Sequence, residues 1–245
     1  MQSHAEKKEG YYILNGSKTF ITHGTVGSTA VVLAVTNKEK KEISAFILEK
    51  GMDGFKTGKK ENKLGMRSSD TTELIFDNVK VPEVNLIGEE GQGFKQALQI
   101  LDSGRIAIAA LSLGIAEGAL EASIKYAKQR VQFGKLISEH QGIQFKISDM
   151  QTDIDAAKML IYRAATAKDN GEDINLKASI AKYFAGEMAT KATSEAVQIH
   201  GGYGFIKDFF VEKLYRDVKL MTIGEGTSEV QKIIIARNIL KQFET

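Results

Sequence analysis

Cysteine is absent from this chain of 245 residues, which excludes disulfides, thiol catalysis and cysteine-based zinc sites. The redox compartment stays open, although the absence suits a cytoplasmic protein. An excess of one charge is absent too: 33 Lys and Arg against 31 Asp and Glu leave a net +2. That gives no electrostatic footing for a nucleic acid or a membrane surface. The start, MQSHAEKKEG, has no apolar signal core, and the longest mostly apolar stretch, around IAIAALSLGIA, is too short to cross a bilayer. A soluble protein is expected. The four histidines, His4, His23, His140 and His200, lie far apart without metal-ligand spacing, so no metal is expected.

What is present changes texture along the chain. YYILNGSKTFIT offers two β-rich runs around Asn15-Gly16, a strong hairpin signal, and TAVVLAVT, ISAFILEK and TTELIFDNVKV follow as further strands. After Pro82, the only proline, long Ala, Leu, Ile, Lys and Glu stretches take helical spacing at roughly 91 to 129, 139 to 169, 173 to 199 and 228 to 242. Strands in one block and helices in another predict an α+β chain. Residues 1–87 form a partial β-sheet or barrel domain and residues 88–245 an all-α four-helix bundle. Because strand-like sequence begins almost at Met1, the β unit is expected to start in mid-structure.

The segment TIGEGTSEVQK sets Glu225 between Gly224 and Gly226, just before a helix whose start is signalled by Ser228 and, three places on, Gln231, a capping-box spacing. Glu225 is either a solvated loop acid near the positive helix end or a general base aimed at a substrate. The two glycines can take unusual backbone angles and let a ligand approach. GEEGQGFKQ lacks the spacing of a dinucleotide or Walker loop and reads as a flexible loop ahead of a helix. Asp102 and Arg105 share one helix face, usually the sign of an ion pair. Arg237 falls on the apolar stripe of the last helix, so it either reaches the rim or meets a buried anion. QIHGGYGF ends a helix in more glycines than a C-cap needs, and QRVQFGK breaks two helices at Phe133-Gly134.

Taken in order, NGSKTFIT, LGMRSSD, GQGFKQALQILDSGR, QRVQFGK, AVQIHGGYGF, EKLYRD and IGEGTSEVQK resemble the acyl-CoA dehydrogenase family across nearly the whole chain. The resemblance implies FAD as cofactor and an acyl-CoA thioester as substrate, with electrons passed to an electron-transferring flavoprotein. Glu225 then corresponds to the base that removes the α-proton while the β-hydrogen leaves as hydride. Other members carry the base immediately before the arginine of LDxxR, where this chain has Gly104. Phe20 and Thr22 match positions beside the flavin ring, and Thr227 and Glu229 match positions at the adenosine diphosphate part. Arg130, Phe133, Gln141, Gln198 and Gly202 match positions reaching a neighbouring subunit's FAD, which implies a homo-oligomer, usually a tetramer. Asp102, Arg105 and Gly226 match substrate-binding positions. A thioester α-proton is a weak acid, so such a site needs a base whose pKa burial under the substrate raises, against the opposing helix N-terminus.

Departures from the family pattern matter as well. Members begin with a helical domain and a TEPxxGSD-like segment, and neither precedes NGSKTFIT here. A non-catalytic fragment or oligomerisation scaffold is therefore the alternative to an enzyme. A DNA-associated relative is disfavoured by the near-neutral charge. The helix LDSGRIAIAALSLGIAEGALEASI leans toward the short-chain, butyryl-CoA-like branch.

Overall fold

A computed structural model describes residues 3–243. The chain divides into two compact units, Met1–Ile100 and Leu101–Thr245. The division falls inside a helix, and the expected boundary at 87/88 would have kept that helix whole.

The first unit is a six-stranded mixed sheet: β1 (His4–Lys8), β2 (Tyr11–Thr22), β3 (Thr29–Asn37), β4 (Glu42–Glu49), β5 (Phe55–Thr57) and β6 (Thr71–Pro82), in spatial order β4-β3-β1-β2-β6-β5. Among these described strands β1 and β3 pair in parallel and the other neighbours antiparallel. Period-two alternation buries Tyr12 and Leu14, Val32 and Ala34, and Phe46 and Leu48 on one face. Each large apolar side chain so buried contributes about 1.5–3 kcal/mol. Tyr12 meets Phe46 edge to face at 4.8 Å, and its hydroxyl donates to Glu90 at 2.9 Å. That bond, with the Gly91 amide donating to the Ser44 hydroxyl at 2.9 Å, pins the glycine-rich stretch before the first helix to the sheet. It is not the free loop its composition suggested.

The Asn15-Gly16 hairpin does not form. Both residues lie inside β2, and the turn is at Glu9-Gly10, where Gly10 has φ +76°. Asn15 instead exchanges bonds with Asn78 of β6, accepting from its amide at 2.8 Å and donating to its side chain at 3.2 Å. The ladder slips between Leu14 and Gly16, which makes a bulge. The slip shifts the buried phase of β6 from Leu74 and Phe76 to Val79 and Val81. A Cβ on Gly16 would stand 2.7 Å from Ser3 Cα, so glycine serves a close backbone approach here, not a turn.

The four expected long helices are α1 (Gly93–Ala127), α2 (Gln141–Asp169), α3 (Asn175–His200) and, after a short unforeseen α4 (Phe210–Asp217), α5 (Ser228–Lys241). On α2 the buried Met150, Ile154, Ala157, Ile161 and Ala164 recur at spacings of four and three, the stripe that packs on another helix. It faces α3, whose interior is mostly alanine and therefore allows close approach. Among the described residues one helix, α1, is long and apolar enough by length and composition to cross a membrane, which corrects the expectation drawn from the shorter stretch. Its Ala109, Ala116 and Ala119 are fully buried in the protein, as in a core helix.

Candidate active site

The Glu225 corner follows a 3-10 turn, Val218–Thr222, and runs straight into α5. Glu225 itself has φ +56° and Gly226 φ +93°. A left-handed glutamate costs roughly 1–2 kcal/mol, so neighbours must hold it. Of the two flanking glycines only Gly226 uses a positive φ. The buried Gln231 side chain donates to the carbonyls of Glu225 at 3.2 Å and Gly226 at 3.1 Å. A Cβ on Gly226 would lie 2.7 Å from that amide nitrogen. The expected capping box is therefore not made. Thr227 is the N-cap and accepts from the Val230 amide at 3.4 Å, while Ser228 donates to Glu187 of α3 at 2.6 Å.

The Glu225 carboxylate lies against α1 at Gly104, where an added Cβ would come within 2.7 Å of its Oε2. The two places where the family resemblance puts a base therefore share one space, and here Glu225 fills it. The next residue, Arg105, is 5% exposed and bonds Asp102 at 2.6 Å. Asn175 of α3 donates to the same carboxylate at 2.9 Å, and Asn238 of α5 donates to Asn175 at 2.9 Å. Asp102 and Arg105 thus tie three helices together, and Nε of Arg105 is buried without a hydrogen-bond partner. Glu229 is exposed; its own amide and the Thr227 hydroxyl hold its carboxyl below the usual range. Arg237 is exposed at the rim, the first of the two alternatives its position leaves open.

A second cluster lies at the far end of α1. A groove of about 500 Å³ is lined by Tyr126, Arg130, His200, Gly202 and Tyr203. The guanidinium of Arg130 lies 5.4 Å from the Tyr203 ring centre, and His200 stacks on Tyr126 at 4.3 Å. Burial pushes the His200 imidazole below its ordinary pKa, so the ring is neutral in the folded protein near pH 7. Phe133 and Gly134 are not a plain break: with φ +52° and +79° they form the two-residue turn of a small hairpin, β7 (Val131–Gln132) and β8 (Lys135–Leu136). Phe133 at its tip is 93% exposed. Gln141 opens α2, Gln198 lies on the last turn of α3, and both are exposed. The glycines of QIHGGYGF divide their work: Gly201 ends α3, Gly202 faces open space, and Gly204 packs 2.5 Å, by its missing Cβ, from the Val197 carbonyl. An open glycine backbone, a cation and aromatic walls suit a flat ligand bearing phosphate.

Phe20 and Thr22 belong to the sheet unit. Phe20 has φ +57° in a β2 bulge between Lys18 and Ile21 and is 74% exposed. Thr22 borders a cavity of about 820 Å³ with Ile21, His23 and Leu74.

Two family profiles cover most of the chain: acyl-CoA dehydrogenase, middle domain, over residues 1–79, and acyl-CoA dehydrogenase, C-terminal domain, over residues 91–240. The chain belongs to the acyl-CoA dehydrogenase family. Members of the family are FAD-dependent oxidoreductases. The chain is 52% identical over 242 residues to an acyl-CoA dehydrogenase of Bacillus subtilis (strain 168), covering 98% of this chain and 64% of that protein. It is 47% identical to the caffeyl-CoA reductase-Etf complex subunit CarC of Acetobacterium woodii, covering 95% of this chain and 62% of the other. The solved butyryl-CoA dehydrogenase of Megasphaera elsdenii superposes with a TM-score of 0.96 at 48% identity, over 98% of this chain and 63% of that one. The chain thus spans less than two thirds of the length of these relatives.

Two residues of this acyl-CoA dehydrogenase chain hold the corner in ways its motifs do not show. Gln231, whose spacing predicts a capping partner, braces the Glu225 corner instead. Lys182, at 1% exposure, bonds the same corner from α3. A signal existed: Lys182 sits on the stripe Ala178, Lys182, Ala185, Ala189, where α3 is otherwise small and apolar.

Proposed function

We propose that this chain carries the base of an FAD-dependent acyl-CoA dehydrogenase that converts fatty acyl-CoA thioesters to trans-2-enoyl-CoA, passing electrons to an electron-transferring flavoprotein. The observation that supports it most is the Glu225 corner: a carboxylate held in a left-handed conformation, braced from behind and leaning over a glycine. Glu225 takes the α-proton of the thioester onto its carboxylate, and the Gly226 turn leaves room for the acyl group. FAD, when bound, supplies the acceptor for the hydride that leaves the β-carbon. Arg130 and the open backbone at Gly202 fit a dinucleotide's phosphates, and in this reading they, with Phe133, Gln141 and Gln198, serve a neighbouring subunit's cofactor in a homo-oligomer. Phe20, Thr22, Thr227 and Glu229 serve the chain's own. Asp102 and Arg105 line the substrate channel chiefly by fixing its helices.

The likeness to a butyryl-CoA dehydrogenase supports short acyl chains. The Acetobacterium woodii relative, named as a reductase in an Etf complex, supports a flavoprotein partner, and in the reductive direction Glu225 would return the proton it otherwise takes. Glu225→Gln in a flavin-loaded preparation is expected to keep acyl-CoA binding while substrate-dependent flavin bleaching falls by about 10² to 10⁴. Bleaching at the parent rate would remove Glu225 from the mechanism.

A further inference from the structure

Lys182 is the least expected charge in the helical unit. It lies in the interior of α3, and its ammonium donates to the Gly226 carbonyl at 2.6 Å. That carbonyl also accepts from Gln231, so it is held from two sides. An ammonium has three protons to place and a high desolvation cost, whereas an apolar side chain of similar length would fill the same space more cheaply. The charged groups around it come from every neighbouring element: Glu187 on its own helix, Arg105 on α1, Glu225 in the corner and Glu229 on α5. Burial and Arg105 work against its charge, while the three carboxylates favour it, and burial weighs most. The Glu187 carboxylate is itself engaged by Ser228, so the ammonium, the corner and the start of α5 form one connected set.

We propose that Lys182 is a positioning residue: by gripping the Gly226 carbonyl it locks Glu225 in its left-handed turn over Gly104, with its ammonium set beside the corner that carries position 225. This rests on Glu225 being the base only for its bearing on catalysis; the geometry it describes stands apart from that reading. Lys182 touches no reacting atom. Its effect passes through the Gly226 carbonyl and through the field at position 225.

The absence of cysteine provides a direct probe, because Glu225→Cys introduces a single thiol into the full chain. The pH dependence of its alkylation by iodoacetamide reports thiolate formation at that position without flavin or substrate. Adding Lys182→Met is expected to move the alkylation midpoint up by about half a pH unit or more, as the loss of a nearby positive charge requires. Lys182→Arg is expected to bring it back toward the parent. A purely structural lysine would lower the melting temperature and leave the midpoint in place, and that result would overturn the proposal. Should Lys182→Met not fold by circular dichroism, Lys182→Gln, which keeps a donor and loses the charge, carries the same reading. A shifted midpoint together with a fully active Glu225→Gln would uphold the role of Lys182 and reject Glu225 as base.

Discussion

The corner at Glu225 and the groove at Arg130 are built on opposite principles, although the same helices supply both. At the corner, strain at one residue is held by buried polar groups of the chain itself: Gln231 on two carbonyls, Lys182 on one of them, and Ser228 on Glu187. At the groove, Phe133, Gln141, Gln198 and Gly202 are exposed, and the half-buried Arg130 turns its guanidinium to the face of Tyr203. A group that must be aimed is over-determined from within. A surface that must receive something is left with unspent contacts.

The sharpest way to break the corner is to crowd it. Gly104→Ala would place a Cβ 2.7 Å from the Glu225 carboxylate, which is the movable end of a side chain and not backbone. Stability is therefore expected to hold or rise by up to about 1 kcal/mol, since alanine is the better helix former. Flavin bleaching by acyl-CoA should nevertheless fall by about a hundredfold, because a base displaced by an ångström loses its line on the α-carbon. Unchanged bleaching would mean that the corner tolerates disorder.

Under the groove, the expected pattern reverses. Gly204→Ala sets a Cβ 2.5 Å from the Val197 carbonyl and 3.0 Å from its Cα, both backbone of α3. A loss of about 1–3 kcal/mol in urea unfolding is expected. On the rim, Arg130→Ala removes one cation–π contact worth about 0.5–1 kcal/mol, so helical content by circular dichroism should be unchanged while FAD retention on gel filtration weakens. A collapse of the helical signal would make Arg130 a structural residue and erase the contrast between the two regions.

What the sequence made legible follows the range of the interactions involved. The four long helices showed in their periodicity because burial of one stripe is a local pattern. The hairpin signal at Asn15 failed because its side chain bonds Asn78, 63 residues away. The helix starts where the sequence places it, but the capping box is not made: Thr227 is the N-cap, and Ser228 donates to Glu187, 41 residues away. Helix α4 was missed because only Val211 and Leu214 of its first two turns face inward, among charged neighbours. Motif resemblance pointed to Glu225 but was silent on what braces it. Lys182 and Gln231 act on backbone carbonyls, so the sequence shows at most a lone lysine on an alanine stripe and not what it holds.

The central claim is that the Glu225 carboxylate takes the α-proton, and that step can be read without oxidation. A flavin-loaded preparation is incubated in deuterated water with an acyl-CoA whose β-carbon is replaced by sulfur, which has no β-hydride to give, and deuterium at the α-carbon is followed by mass spectrometry. The parent chain is expected to exchange the α-hydrogen, and Glu225→Gln to do so at least about a hundredfold more slowly. Equal exchange by the two proteins would contradict the assignment and send the search for the base elsewhere in the site.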